Sequence, residues 1–361
     1  MSVRVSYKKQ AVVGIMLLLT ILLVTEITAR IYDYYYPNCR FLKSEVYTNV
    51  DFDLKRRICV ENDKLLWNNS PLYLIPNQHY STININSQGF RGEEITKEKP
   101  NDTYRIFVIG GSTTFGVGST SDDTTMPGFL QKKISELTFE KHVEVINAGI
   151  PAAYSFTETN YIKNKILDYS PDLLIIYDGW NDIGLDFRDY GADSNELGQK
   201  IIREIKRSEY ITANVILKWY FNNKYDTTKK IQFDDSFIDK KVEKWKNSWE
   251  EICKIGDENN INVIITLQPI VGSGNKPLSS EERDYYEHYG HLDLLIHYEK
   301  YANALIELNS TCTTADLRYV FDNYSQTIYY DSGHVNDFGN EIIAQKIFEL
   351  IMPTISYNVS G

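Results

Sequence analysis

Arg105-Ile106-Phe107-Val108-Ile109-Gly110-Gly111-Ser112-Thr113-Thr114-Phe115-Gly116 runs an apolar segment straight into a glycine pair and a serine. A short apolar run closed by glycine predicts a buried strand over Arg105–Ile109, a tight turn, and then a helix. Ser112 falls at the carboxyl end of that strand, the edge of a parallel α/β sheet where ligands bind. A serine there can offer its hydroxyl to solvent while its own N–H faces a developing negative charge. A Walker loop is excluded by the missing G-K-[ST] ending. The G-x-S-x-G elbow is excluded as well, because Thr114 stands where its second glycine belongs. Taken alone, the stretch fits a structural turn or an anion-binding glycine loop equally well.

Outward from this stretch, short apolar runs alternate with helical ones. Strands are predicted at Val143–Ile146, Leu173–Tyr177 and Val263–Leu267. Helices are predicted at Thr124–Leu137, Thr157–Leu167, Phe237–Asn259, Glu282–Leu308 and Asp337–Ile351. Such alternation predicts an α/β layer fold with a parallel sheet. Residues 185 to 235 break the pattern and read as an insertion near the ligand-binding edge. Upstream, residues 38 to 100 read as a mixed segment with short strands. It ends in Ile83-Asn84-Ile85-Asn86-Ser87-Gln88-Gly89-Phe90-Arg91-Gly92, the chemistry of a hairpin or an edge strand leading to a loop.

Three further pieces carry chemistry. Asp331-Ser332-Gly333-His334 places a carboxylate three residues before an imidazole, where it can fix the tautomer and stabilise the charged ring. Asn147-Ala148-Gly149 and Asp178-Gly179-Trp180-Asn181-Asp182 follow the second and third strands, on the same edge as Ser112. Gly149 offers a backbone N–H and Asn181 a side-chain amide, and donors of this kind beside a serine make an oxyanion hole. Each piece alone reads as turn or loop chemistry.

In this order the pieces resemble the SGNH hydrolases, also called GDSL esterases and lipases, over roughly Arg105 to Ile351. Ser112 matches the family's block I serine, Gly149 its block II glycine and Gly179–Asp182 its block III G-x-N-D. Asp331 and His334 match its block V D-x-x-H. The resemblance implies a flavodoxin-like three-layer α/β/α fold with a central parallel sheet over 104–356, and hydrolysis of an ester through an acyl-enzyme with neither metal nor cofactor. Ser112 is then the nucleophile, His334 the base and Asp331 its orienter, with Ser112, Gly149 and Asn181 receiving the oxyanion. Gly111 departs from the family, where many members carry the Asp of G-D-S. Gly89–Gly92 also resembles a segment of exported members, with a structural or substrate-edge role.

Residues 1–31 carry an uncharged run from Ala11 to Val24 preceded by Arg4, Lys8 and Lys9. It extends to Ile31 if Glu26 and Arg30 reach toward headgroups, and tyrosines 32 and 34–36 follow as an interfacial belt. A signal anchor fits this belt, and a cleaved signal peptide is the alternative. Both leave the rest of the chain exported, with 32–103 an accessory segment and the membrane a partner through the N-terminus. A net charge of −11 excludes a phosphate-backbone partner, so no nucleic acid is expected. Four cysteines, at 39, 59, 253 and 312, permit disulfides, with Cys39–Cys59 the first pair to test and four free thiols the alternative. His288, His291 and His297 lack an H-E-x-x-H pattern and read as a solvated helix face. Asp122-Asp123 read as charges opening a helix, and Trp245 with Trp249 as packing residues.

Three activities share these features. The first is an extracytoplasmic esterase or deacylase acting on an ester-bearing small molecule, lipid or glycan. The second is an O-acyltransferase with the same catalytic set. The third is a non-catalytic surface-binding protein on the same fold.

Overall fold

A computed structural model of the chain describes residues 6–35, 40–69, 71–184, 211–213, 216, 235–288 and 291–359. The chain divides into two units, Met1–Cys39 with Asp193–Gln232, and Arg40–Ala192 with Phe233–Gly361. Most of the insertion read at 185 to 235 lies outside the described residues, as does Cys39 and with it the Cys39–Cys59 pairing.

In the first unit, helix α1, Tyr7–Tyr35, buries none of its side chains and is long and apolar enough to cross a membrane. At 29 residues it measures about 43 Å, against a hydrocarbon core of about 30 Å. Glu26 and Arg30 pair with each other at 2.8 Å. The Glu26 carboxylate also accepts the N–H groups of Ile211 and Thr212.

The second unit opens with two 3₁₀ turns, Arg40–Lys43 and Glu45–Tyr47, and helix α2, Phe52–Lys64. Two antiparallel pairs follow: β1, Trp67–Asn69, with β2, Leu72–Leu74, and β3, Gln78–His79, with β4, Asn84–Ile85. Then comes the α/β body: β5 Thr103–Gly110, α3 Ser112–Phe115, α4 Met126–Ser135, β6 His142–Gly149, α5 Ser155–Asn164, β7 Leu173–Asp178 and α6 Trp180–Gly184. It closes with α7 Asp235–Asn259, β8 Asn262–Leu267, α8 Ser280–His288, α9 His291–Leu308, β9 Thr313–Asp316 and α10 Asp337–Val359.

The five strands of the body are parallel, in the order β6-β5-β7-β8-β9. The first strand of the body, β5, is therefore an inner strand flanked by β6 and β7, with the chain wound to either side of it. In sheets of this kind ligands bind outside the carboxyl ends, where the winding reverses. All eight residues of β5 are buried, which accounts for the apolar run Ile106–Ile109, while the buried Arg105 of the same strand is paired with Glu144 at 2.8 Å. Phe107 and Ile109 pack on one face against α5, α7 and α9 residues such as Tyr161, Trp245, Trp249 and Tyr301. Ile106 and Val108 pack on the other, with Leu130 and Ile134 of α4 and Ile347 and Ile351 of α10. Helices on both faces make this a three-layer α/β/α fold. Each apolar side chain so covered contributes roughly 1.5–3 kcal/mol.

Trp245 and Trp249 are fully buried packing residues, as read from the sequence. His297 is not on a solvated face: it is 6% exposed and packed in the interior. The side chains of His288 and His291 lie outside the described residues. The single helix read over Glu282–Leu308 is two, α8 and α9.

Cys253 of α7 is bridged to Cys312, with Cα atoms 5.7 Å apart across a sequence separation of 59. The bridge ties α7 to the lead-in of the edge strand β9. Replacing both cysteines by serine is expected to lower the unfolding free energy by about 2–4 kcal/mol, measured by urea titration.

Candidate active site

Gly110 ends β5 between Gly149 on one side and Tyr177 on the other, so the next residues emerge from an inner strand at the sheet's carboxyl edge. Gly111 caps a single helical turn that begins with Ser112. The first N–H groups of such a turn have no intrahelical acceptor. Its far end is held by Arg91, whose guanidinium donates to the carbonyls of Phe115 and Gly116, each at 2.9 Å, and of Thr82 at 2.9 Å. The Nε of Arg91 donates to Asp122 at 2.7 Å. The Arg91 side chain is 1% exposed, so each donor must be satisfied by protein. The Gly89–Gly92 piece thus has a structural role: it fixes the serine turn from below. Asp122 is the counter-ion of Arg91 rather than a helix-opening charge, because α4 begins only at Met126 and is capped by Thr125.

His334 arrives from the loop between β9 and α10. Ser112 Oγ donates to His334 Nε2 at 2.7 Å. His334 Nδ1 lies 2.9 and 3.0 Å from the two oxygens of Asp331, which assigns the ring proton to Nδ1 and leaves Nε2 as acceptor. Asp331 also accepts the N–H groups of Gly333 at 2.9 Å and His334 at 2.8 Å. Burial works to raise this carboxyl, but the His334 charge and these hydrogen bonds outweigh it and hold Asp331 down to about 2. The loop's entry is pinned by the buried Glu282, which accepts the N–H groups of Ile328 and Tyr329 and pairs with Lys276 at 2.5 Å.

Asn181 follows β7, and its amide donates to the Ala153 carbonyl at 2.6 Å. A Cβ on Gly111 would stand 2.4 Å from Asn181 Nδ2. The glycine that departs from the G-D-S pattern is therefore what lets Asn181 occupy its place. Trp180 packs beside Gly333 and joins the two loops.

Gly149 does not fill the role that the sequence predicts for it. Its N–H donates at 3.0 Å to the side chain of Asn147, and its Cα is pressed against the backbone of Phe115, 2.1 Å from where a Cβ would sit. It is a packing glycine. Three residues on, Ala152 holds a left-handed φ of +65°, and among the described residues its N–H has no acceptor. Sequence reasoning missed Ala152 because an alanine carries no signal for that conformation.

Beneath the Asn181 turn lie three buried carboxyls, Glu158, Asp178 and Asp182. Asp182 accepts the N–H of Ser155 at 3.0 Å, and Trp245 donates to Asp178 at 3.0 Å. Burial pushes Asp182 up to about 6 against the pull of the Ser155 hydrogen bonds. Burial and the neighbouring carboxyls raise Glu158 well above the usual range. Asn181 to Ala153 and Ser155 to Asp182 are thus paired clasps between the turn after β7 and the turn after β6.

No family model and no curated protein matches the sequence. Among solved structures the chain is similar to an acetyl xylan esterase, AlAXEase, at 15% identity over 69% of this chain and 100% of the other, with a TM-score of 0.42. It is similar to the lipase/acylhydrolase from Enterococcus faecalis at 17% identity over 70% and 96%, with a TM-score of 0.42. A two-domain esterase active on acetylated mannans gives 13% identity over 69% and 48%, with a TM-score of 0.41.

Gly111→Ala is expected to displace the Asn181 amide while leaving the sheet intact. If that amide serves as an oxyanion donor, its loss costs about 10²–10³ in kcat, and ester turnover should fall by roughly 10²-fold or more with the melting temperature within a few degrees. Unchanged turnover would show that Asn181 has no part in rate acceleration.

Proposed function

We propose that this chain is an extracytoplasmic serine esterase of the SGNH kind, held at a membrane by α1 and acting on an ester-bearing lipid or glycan. The observation that carries the reading is the continuous hydrogen-bond chain from Ser112 Oγ through His334 to Asp331. The Cys253–Cys312 bridge and the basic flank before α1 support an exported, oxidising location.

Ser112 Oγ attacks the acyl carbon, and His334 Nε2 takes its proton while Asp331 stabilises the imidazolium. The tetrahedral oxyanion is received by the N–H groups of Ser112 and Ala152 and by the Asn181 amide, each donor contributing roughly 2.7–4 kcal/mol. Collapse breaks the bond to the alcohol, which leaves with the proton from His334. Water then attacks the acyl-enzyme, gives a proton to His334, and the carboxylic acid departs as Ser112 Oγ regains its hydrogen.

Ser112→Ala is expected to abolish hydrolysis of p-nitrophenyl acetate by at least ~10³-fold and to remove labelling by a fluorophosphonate. Turnover at the native rate in this variant would end the enzyme assignment. Product analysis with added alcohols or sugars separates hydrolysis, which this reading expects, from acyl transfer.

A further inference from the structure

The hydrogen bonds on Nδ1 and Nε2 leave the His334 ring free to tilt about the line joining those two atoms. What meets its face is Tyr330, whose ring lies nearly parallel at 15°, with centroids 5.6 Å apart. Tyr330 is itself tied to the nucleophile's side of the site. Its hydroxyl donates to the Val117 carbonyl at 2.5 Å, and the Val117 N–H donates to the Ser112 carbonyl at 3.0 Å. A closed circuit results: Ser112 to Val117, Val117 to Tyr330, Tyr330 to the His334 face, and His334 back to Ser112.

A second tyrosine backs the first. Tyr47 belongs to the 3₁₀ turn Glu45–Tyr47, and its ring lies 5.7 Å from that of Tyr330. Its hydroxyl donates to the Gly118 carbonyl at 2.7 Å. Tyr47 is 1% exposed and Tyr330 2%. Gly118 holds φ +88°, and a Cβ there would stand 2.5 Å from the Tyr47 hydroxyl and 2.6 Å from that of Tyr330, so the loop is shaped around both phenols. Burial, with the charges of Asp337 and Asp331, pushes the Tyr47 phenol well up and keeps it a donor. The same segment grips the base's loop again where Thr327 donates to Glu45 at 2.9 Å.

We propose that Tyr330 is a positioning residue that sets the imidazole plane of His334, and that Tyr47, from the segment following the N-terminal helix, is the second half of this brace. The turn Glu45–Tyr47 then helps to position the base, beyond the accessory role read for residues 32–103. The inference rests on the serine-hydrolase reading and adds to it a dependence on two aromatic side chains that never touch substrate.

The test is the rate of Ser112 phosphonylation in the full-length protein, resolved into kinact and KI for a small fluorophosphonate. Tyr330→Phe keeps the stack and loses the tie to Val117, and kinact should fall about 3- to 10-fold. Tyr330→Leu loses both, and kinact should fall at least ~30-fold. Tyr47→Phe should lower kinact about 2- to 5-fold, with KI unchanged in all three. Removing a single oxygen leaves the Phe variants folded, so they decide the matter even if Tyr330→Leu does not fold. Native kinact in both Phe variants, or losses that fall on KI, would overturn the brace while wild-type labelling keeps the hydrolase reading. Absence of labelling in the wild type would remove both.

Discussion

One hydrogen bond, 2.7 Å long, joins side chains 222 residues apart in sequence, Ser112 and His334. An alcohol is a poor nucleophile until a base shares its proton, so this contact separates a reactive site from a surface serine. Most of the second unit bears on it. The sheet brings the serine turn to its carboxyl edge, Arg91 fixes the end of that turn, and Glu282 and Asp331 shape the loop that returns the imidazole. The supports are buried polar groups with their partners in place, and a network of that kind holds a geometry more tightly than exposed loops can.

Two glycines illustrate how close packing and chemistry are divided at the sheet edge. Gly111 leaves room for a side-chain amide, that of Asn181. Gly149 leaves room only for backbone, that of Phe115. Both look alike in sequence, one ending β6 and the other just past the end of β5, and only the direction of the missing side chain tells them apart. The three buried carboxyls under the Asn181 turn work in the same spirit. Asp182 clasps the Ser155 turn, and Glu158 and Asp178 crowd it in a space where burial disfavours ionisation.

What could be read from the sequence was set by local signal. β5 is legible because Ile106–Ile109 is a buried apolar run, Ser112 because it follows that run through a glycine pair, and Asp331 and His334 because they form a short motif just before α10. β9, Thr313–Asp316, was not legible: it is a polar edge strand, half-exposed and defined only by its pairing with β8. Helix α2 was missed for a related reason, since only Ile58, Cys59 and Glu61 of its thirteen residues are buried. Ala152 has no sequence signal, and Tyr47 and Tyr330 meet through contacts far apart in the chain. Tertiary contact, not propensity, decides these cases.

The central claim is that Ser112, activated by His334, is the atom that bonds to an electrophilic substrate. A crystal structure of the chain after reaction with a fluorophosphonate examines that bond directly. The account predicts phosphorus on Ser112 Oγ, with its free oxygen about 3 Å from the N–H groups of Ser112 and Ala152 and from the Asn181 amide. Phosphorus on another side chain, or an unmodified Ser112 in crystals soaked to completion, would contradict it.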